Sequence, residues 1–246
     1  ADAEAWPLSG ETITTHHIPY YRFVEAKVND AVDELATAVR AALDEPVLVV
    51  CGRGEASAFV AERLLAEGLE AANLAEGMRG WARVYHAVDL PVESATLVQY
   101  QRPSSGCLAY LVVSGDEALV VDPLRAFTDR YARDASDRDA DVVYAIDTHV
   151  HADHVSGVRN VARGTDAQPV LPEGARERGL TYGARPLAAG ETLQFGDASL
   201  RAIGLPGHTS EMTGVEFRDV VLAGDSVFTD GLARPDLEAQ LAEDPE

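Results

Sequence analysis

The sequence has 246 residues, 46% hydrophobic and 25% charged, which is typical of a globular protein and excludes wholesale disorder or a fibrous repeat. Its length suits one large domain or two small ones. With 41 acidic residues against 20 basic ones, the formal net charge is -21, which disfavours nucleic acid and anionic membranes as partners. Lys27 is the only lysine, and this acidic, arginine-rich composition is typical of a salt-adapted (halophilic) proteome.

Two further features bear on the compartment. No apolar run approaches the roughly 20 residues that span a bilayer, and residues 1–5 have neither the basic region nor the apolar core of a secretory signal. The two cysteines, Cys51 and Cys107, do not make a disulfide framework, and Cys107 begins an apolar strand, where we expect it in the core. We therefore expect a cytoplasmic protein.

The first part of the chain predicts an α/β unit. Apolar residues recur at three- and four-residue spacing over residues 28–43, which predicts a helix. The short apolar run 47–50 predicts a buried parallel strand. A second helix follows the loop Cys51-Gly-Arg-Gly-Glu-Ala-Ser57 and ends at Gly68. A cysteine therefore lies where a strand ends and a loop opens a helix.

This position favours a reactive Cys51. Backbone N–H groups of the loop and the positive end of the helix would stabilise a thiolate, and Arg53 adds a nearby positive charge. The alternative is a buried and inert cysteine, the common state of a free cysteine. The cysteine and its loop alone leave both interpretations open.

The neighbouring segments resemble the C-terminal half of a rhodanese domain. The matching stretches are the Cys-x-x-Gly-x-x-Ser loop, Leu74-Ala-Glu-Gly-Met-Arg-Gly-Trp81, Asp89-Leu-Pro-Val92 and His17-Ile-Pro19. The resemblance implies a rhodanese-like parallel α/β domain over residues 1–93, N-terminally incomplete, in which Cys51 carries sulfur as a persulfide and Arg53 belongs to the catalytic loop. Ala56 stands where the family's loop usually has a second arginine.

A boundary near residues 91–95 separates this unit from a series of short strands. Residues 96–100, 108–113 and 118–121 are strand-like and are separated by turn signals, which predicts a β-meander. Asp122 follows the last of these strands, and we expect it to cap a turn.

A metal-binding motif follows the predicted strand 142–146, in Thr148-His-Val-His-Ala-Asp-His154. His149 and His151 are two residues apart, so on an extended segment both imidazoles point to the same side. Asp153 and His154 follow at the turn into a helix. Three imidazoles and a carboxylate at one strand end predict a metal site.

Two later strand ends carry further metal-compatible side chains. The predicted strand 199–205 leads to His208, and the predicted strand 220–223 leads to Asp225. Together with the histidine motif, their order resembles the metallo-β-lactamase fold over residues 95–246. The resemblance implies an αββα sandwich in a domain of residues 94–246 that lacks its C-terminal end. Members of this superfamily often dimerise, so a homodimer is one expected state.

This superfamily includes hydrolases and oxygenases, so the fold leaves the reaction open. A dinuclear zinc enzyme of the glyoxalase II type, a hydroxyacylglutathione hydrolase, would hold its metals with His149, His151, His208, Asp153, His154 and a bridging Asp225. Its second zinc also needs a histidine after Asp225, and none follows in this sequence.

A mononuclear site needs fewer ligands, because two histidines and one carboxylate form the facial triad of non-haem iron(II) oxygenases. The motifs around His149, His208 and Asp225 resemble persulfide dioxygenases, and the resemblance implies that these three residues bind Fe²⁺. His151, Asp153 and His154 would then orient ligands or water. Arg234 matches an arginine of that family, a structural or substrate-side cation.

The resemblance implies that a small-molecule thiol persulfide, such as glutathione persulfide, reacts with dioxygen to give sulfite. An attached sulfurtransferase module would supply or accept sulfur through Cys51. A hypothesis of another class is a sulfur-carrier module whose metal domain is inactive.

Overall fold

The computed structural model describes residues 14–151, 155–228 and 231–233. The chain forms two compact units. The first ends at Val84 and includes Pro103–Ser105, and the second comprises Tyr85–Arg102 and the chain from Gly106 onward. This division lies earlier than the expected boundary near residue 93, because residues 86–90 form an edge strand of the second unit.

The first unit contains four helices and two strands among its described residues: α1 Tyr20–Val28, α2 Val32–Ala42, β1 Val47–Val49, α3 Glu55–Ala66, β2 Ala71–Asn73 and α4 Gly77–Trp81. β1 and β2 pair in parallel, with Val47 opposite Ala71. The predicted helix over residues 28–43 begins later than expected, at Val32, because Asp30 adopts a left-handed φ of 55° between α1 and α2. A rhodanese-like identity for this unit stays a prediction.

The second unit is built on a seven-stranded sheet in the order β3-β4-β5-β6-β7-β8-β9. Its strands are β3 His86–Leu90, β4 Thr96–Gln101, β5 Leu108–Ser114, β6 Glu117–Val121, β7 Asp141–Ile146, β8 Gln168–Pro172 and β9 Arg185–Leu187. The strands from β3 to β6 pair antiparallel and form the predicted meander. Those from β6 to β9 pair in parallel.

Two helices, α5 Thr128–Ser136 and α6 Val158–Thr165, cover one face of this sheet. A four-stranded antiparallel sheet covers the other face, with β10 Thr192–Phe195, β11 Ala198–Gly204, β12 Thr213–Phe217 and β13 Val220–Leu222. A short hairpin follows, with β14 Val227–Phe228 and β15 Gly231–Leu232. The described residues of the second unit therefore form three layers, one helical and two of sheet.

Alternation along the strands produces these layers. In β4, Leu97 packs toward the second sheet, whereas Val98 and Tyr100 pack under the helices. Burying such a side chain contributes about 1.5–3 kcal/mol, so the two faces hold the layers together. Cys107, which we expected in the core, is only half-buried. Among the described residues, no helix is long and apolar enough to cross a bilayer.

Candidate functional site

The site begins where parallel strands of the large sheet end side by side. Val121 of β6 lies opposite Ile146 of β7, so the residues that follow them, Asp122 and Asp147, share one edge of the sheet. The Asp122 N–H donates to the Ile146 carbonyl at 2.8 Å. Asp122 has a left-handed φ of 50°, a conformation that aspartate tolerates better than most residues and that is often found at functional sites.

Thr148 fixes the segment that carries His149. Its N–H donates to Asp122 Oδ1 at 2.7 Å, and its hydroxyl donates to Asp122 Oδ2 at 2.9 Å. The same hydroxyl lies 3.0 Å from His149 Nδ1, which leaves Nε2 of the ring to face the site. The Thr148 carbonyl accepts from the Thr213 N–H at 2.9 Å, which ties the two sheets together.

Gly224 makes the approach of the last loop possible. A Cβ at this position would lie 2.5 Å from Thr148 Oγ1, and the residue has a left-handed φ of 51°. Glycine is therefore required where the loop after β13 passes Thr148, and the next residue, Asp225, is delivered to the site.

His149, His208 and Asp225 form what we call the open group. They follow three different strands, β7, β11 and β13, and one ligand atom from each lies within 4.8 Å of the others. Asp225 Oδ2 is 3.6 Å from His149 Nε2 and 3.6 Å from His208 Nε2. The His149 side chain is 1% exposed, whereas those of His208 and Asp225 are 27% and 33% exposed, so the group opens to solvent on one side.

The open group fits a metal ion. Ligand atoms that bind one ion at about 2.1 Å, at right or tetrahedral angles, lie about 3.0–3.4 Å apart. The separations of 3.6 Å in this site are near that value and too long for hydrogen bonds. Two imidazole nitrogens and one carboxylate oxygen are ligands that both iron and zinc accept.

Asp122, Asp147 and His151 form what we call the closed group. His151 Nε2 lies 3.1 Å from Asp122 Oδ1 and 3.7 Å from Asp147 Oδ1, and the side chains are 4%, 7% and 3% exposed for His151, Asp122 and Asp147. The His149 and His151 rings are neighbours, with centroids 4.0 Å apart, as the two-residue spacing predicts. In this structure, however, Nε2 of His151 faces the two aspartates.

Burial and charge act against each other in the closed group. Burial lowers the pKa of His151, but its hydrogen bond to Asp122 and the charges of Asp122 and Asp147 outweigh this effect and raise the pKa to about 10. Burial raises the pKa of Asp122, but the hydrogen bond and charge of His151 prevail and hold it below the usual value. Burial dominates at Asp147 and raises its pKa. The group therefore favours an imidazolium paired with the Asp122 carboxylate.

Sequence reasoning missed the closed group. It assigned Asp122 to a turn and did not single out Asp147. Both could have been found, because each is the first residue after a strand of the parallel pair β6 and β7. Ser156 donates to Asp147 Oδ2 at 2.6 Å and completes the surroundings of this carboxylate.

Glu211 is a second residue that the sequence did not reveal. Its side chain is 2% exposed, and its Oε1 accepts from the Val150 N–H at 2.9 Å, between the two histidines of the motif. Its Oε2 lies 3.2 Å from Arg178 Nε. A Cβ on Gly174 would lie 2.7 Å from that of Glu211, so this glycine makes room for it. The loop also borders an open groove of about 980 Å³.

The remaining predicted residues of the second unit, Asp153, His154 and Arg234, lie outside the described residues. Of the six predicted metal ligands, the structure therefore brings three into the open group and one, His151, into the closed group.

Cys51 of the first unit lies in the loop between β1 and α3, as predicted. Its Sγ accepts from the Gly54 N–H at 3.1 Å and from the Ser57 hydroxyl at 3.2 Å. Burial raises its pKa, but these hydrogen bonds and one from the Arg53 N–H lower it to about 7. The Arg53 side chain is exposed, and the effect of this residue on the Cys51 pKa comes from its backbone N–H.

Several known proteins are similar to this chain in sequence. This chain is 29% identical to the atrochrysone carboxyl ACP thioesterase AgnL7 of Paecilomyces divaricatus, over 51% of this chain and 41% of that protein. It is 28% identical to the mitochondrial persulfide dioxygenase ETHE1 of Bos taurus, over 60% and 58%. It is 32% identical to the hydroxyacylglutathione hydrolase of Acidiphilium cryptum, over 51% of each protein. The chain thus spans about half the length of these curated relatives.

A solved metallo-beta-lactamase from Staphylococcus aureus has the same fold, with a TM-score of 0.53 and 24% identity over 60% of this chain and 48% of that one. The model of the metallo-beta-lactamase superfamily matches residues 103–245, more than half of the sequence. These residues include both polar groups at the strand ends. The chain therefore belongs to the metallo-beta-lactamase superfamily.

Proposed function

We propose that this protein is an iron-dependent persulfide dioxygenase that oxidises a small-molecule thiol persulfide to sulfite. The observation that carries the proposal is the composition of the open group, in which two imidazoles and one carboxylate gather without His151. Two histidines and one carboxylate are the ligand set of mononuclear non-haem iron sites, in which the remaining coordination positions stay open.

His149, His208 and Asp225 would hold the iron. Bound ferrous iron supplies the redox chemistry that joins dioxygen to the outer sulfur of the persulfide. The reaction balances as RSSH + O₂ + H₂O → RSH + H₂SO₃, so one water is consumed and the thiol carrier is released. The thiol persulfide and dioxygen are accordingly the proposed partners.

The surrounding residues orient the ligands. The Thr148 hydroxyl, held by Asp122, would keep His149 Nδ1 engaged so that Nε2 stays available. His208 and Asp225 would leave the solvent-exposed side of the group open for substrate. The pair of His151 and Asp122 would supply a fixed positive and a fixed negative charge beside the first ligand without binding iron itself.

The second candidate is a dinuclear zinc thioesterase. Two relatives carry names of this kind, one a thioesterase and the other a hydroxyacylglutathione hydrolase. That mechanism would place His151 on the first zinc. Because His151 Nε2 is 3.1 Å from Asp122 Oδ1, the observed geometry favours the mononuclear proposal.

Oxygen uptake tests the proposal. The anaerobically iron-loaded protein would be mixed with glutathione persulfide and dioxygen in high salt, because the net charge of -21 favours a screened medium. We expect oxygen consumption matched by sulfite, lost in His208→Ala and retained in the matched control His86→Ala, an exposed histidine outside both groups. Two bound zinc ions with thioester cleavage and no oxygen uptake would instead assign the hydrolase.

We propose a sulfurtransferase activity for the first unit on a separate observation, the hydrogen-bonded Sγ of Cys51 with its lowered pKa. The thiolate would attack the outer sulfur of thiosulfate, forming the Cys51 persulfide and releasing sulfite, and cyanide would then remove that sulfur as thiocyanate. Thiocyanate formation that is lost in Cys51→Ser would support this activity. Persulfidation of Cys51 without turnover in either unit would instead support the sulfur-carrier hypothesis.

A further inference from the structure

A cavity of about 430 Å³ lies in the second unit beside α6. Its lining combines three guanidinium groups with neutral polar side chains: Arg125, Arg159, Arg163, Ser156, Asn160 and Tyr182. None of the described residues that line it carries a carboxylate. The cavity therefore presents positive charge and hydrogen-bond donors.

These positive charges have no internal counterion in the part of the chain that the structure describes. No salt bridge there includes Arg125, Arg159 or Arg163, whereas other arginines, such as Arg130 and Arg201, pair with carboxylates. The contrast is informative because the sequence has twice as many acidic as basic residues, 41 against 20. Three arginines that form no salt bridge with any described residue are unexpected in so acidic a chain.

The arrangement of α6 concentrates the charge. Arg159 and Arg163 are four residues apart on this helix, so they lie on one face, where two like charges repel each other. The Arg159 guanidinium lies 5.8 Å from the ring centroid of Tyr182. Tyr182 is half-buried against the apolar residues between the large sheet and its two helices. A bound anion would relieve the repulsion between the two arginines.

The wall of the cavity is held in place. The Arg125 N–H donates to the Val155 carbonyl at 3.0 Å, and Leu124 and Ser156 form a β-bridge. Ser156 also donates to Asp147 of the closed group at 2.6 Å. The backbone beside the cavity is therefore anchored to the polar network next to the open group.

We propose that this cavity binds the anionic end of a small molecule, namely a phosphate or a pair of carboxylates. Guanidinium groups bind such oxygens in bidentate fashion, and three of them give a local positive potential on a protein whose net charge is -21. The proposal does not depend on which reaction the metal centre performs.

Calorimetric titration of the full chain at fixed ionic strength tests the proposal, with inorganic pyrophosphate and glutathione as probes. Binding of pyrophosphate alone would indicate a phosphate ligand, and binding of glutathione would indicate a carboxylate-bearing thiol. The double variant Arg159→Gln, Arg163→Gln should weaken binding about tenfold or more, because charged hydrogen bonds are lost. Arg125→Gln, which changes a residue of the short 3-10 helix Arg125–Phe127 and not of α6, should weaken binding as well.

Two controls locate the binding. Arg133→Gln removes an exposed arginine of α5 that does not line the cavity, and it should bind the probes like the unchanged protein. His208→Ala should also bind them, which separates the cavity from the metal centre and from any loss of turnover. The proposal is overturned if neither probe binds, if Arg133→Gln weakens binding as much as the cavity variants, or if His208→Ala abolishes it.

Discussion

The open and closed groups lie next to each other and contain the same kinds of side chain, yet their geometry differs. In the closed group a histidine nitrogen meets a carboxylate at 3.1 Å and the side chains are at most 7% exposed. In the open group the corresponding separations are 3.6 Å, and two of the three side chains are about one-third exposed. The closed group thus contains a direct hydrogen bond between a histidine and a carboxylate, whereas the open group leaves space for an ion.

The comparison teaches that composition alone does not define a metal site. A buried imidazole and a carboxylate that hydrogen-bond to each other contribute to stability and orientation. Removing one of the two leaves the other as an unpaired buried charge. Ligands held slightly too far apart for hydrogen bonds contribute little to folding until an ion joins them. Variants in the open group should therefore change mainly metal affinity, and variants in the closed group should change mainly the free energy of unfolding.

The largest expected effect is on metal affinity in the open group. His208→Ala should weaken iron or zinc binding by more than about 100-fold, beyond the 10–100-fold typical of residues that only support a ligand. The free energy of unfolding of the metal-free protein should change by less than about 1 kcal/mol, because partly exposed side chains contribute little. Metal titration and urea unfolding measure the two quantities, with His86→Ala as the control.

An equal loss of metal-free stability and of metal affinity in His208→Ala would contradict this contrast. It would mean that the open group already holds the fold together without an ion.

The opposite balance is expected for Asp122→Ala in the closed group. This change removes the acceptor of both Thr148 and His151 and leaves a buried imidazolium, so the unfolding free energy should fall by about 3–5 kcal/mol. Asp116→Ala, at an exposed position before β6, is the matched control. Urea unfolding of both metal-free variants makes the measurement, and a loss below about 1 kcal/mol would refute the assigned importance of the pair.

The closed group also predicts a pH dependence. The pKa of His151 is about 10 in the folded protein against an ordinary 6.5, so its charged form stabilises the fold fully below pH 6.5. This contribution is lost as the pH rises through 10. The metal-free protein should lose more than about 1.4 kcal/mol, the equivalent of one pKa unit, over this range.

The slope of the unfolding free energy against pH, compared between two variants, shows which histidine causes the pH dependence. It should persist in His208→Ala, whose change lies in the open group, and flatten in His151→Gln. A slope that is the same in both variants would assign the titration to another residue.

Much of the open group follows from the sequence, because each of its members comes three or four residues after the end of a strand. The apolar runs before His149, His208 and Asp225 predict strands, and loops at strand ends converge in sandwich folds. The match to the superfamily confirms the fold of this unit. The sequence pattern placed these three residues among six predicted ligands, the family resemblance singled them out, and the structure brings one ligand atom of each within 4.8 Å of the others.

The division of labour between His149 and His151 could not be predicted in the same way. Both side chains leave the extended segment on one side, and spacing does not reveal which nitrogen meets which partner. That depends on Asp122 and Asp147, which a parallel register places under His151. The sequence did not predict Glu211 for a related reason. Its contact with the Val150 N–H joins two loops that lie 61 residues apart in the chain.

A smaller effect is expected from replacing Glu211, which holds the segment between His149 of the open group and His151 of the closed group. Glu211→Ala leaves the Val150 N–H and Arg178 without this buried acceptor and should lower the unfolding free energy by about 1–3 kcal/mol. Glu177→Ala, at an exposed position on the same groove, is the matched control. Equal unfolding midpoints for the two variants in urea would show that Glu211 does not hold the motif.

The smallest expected effect extends the comparison to Cys51, whose Sγ is hydrogen-bonded like the closed group and only partly buried like the open one. Ser57→Ala removes the hydrogen bond that lowers the thiol pKa most, so this pKa should rise from about 7 toward 9.0. Because the thiolate is the reactive form, alkylation by iodoacetamide near pH 7 should slow. Mass spectrometry of the Cys51 peptide measures the rate, and the Cys107 peptide in the same sample should be unaffected. An unchanged pH profile at Cys51 would mean that the backbone N–H groups of the loop alone set its reactivity, as an anion site at a helix start would.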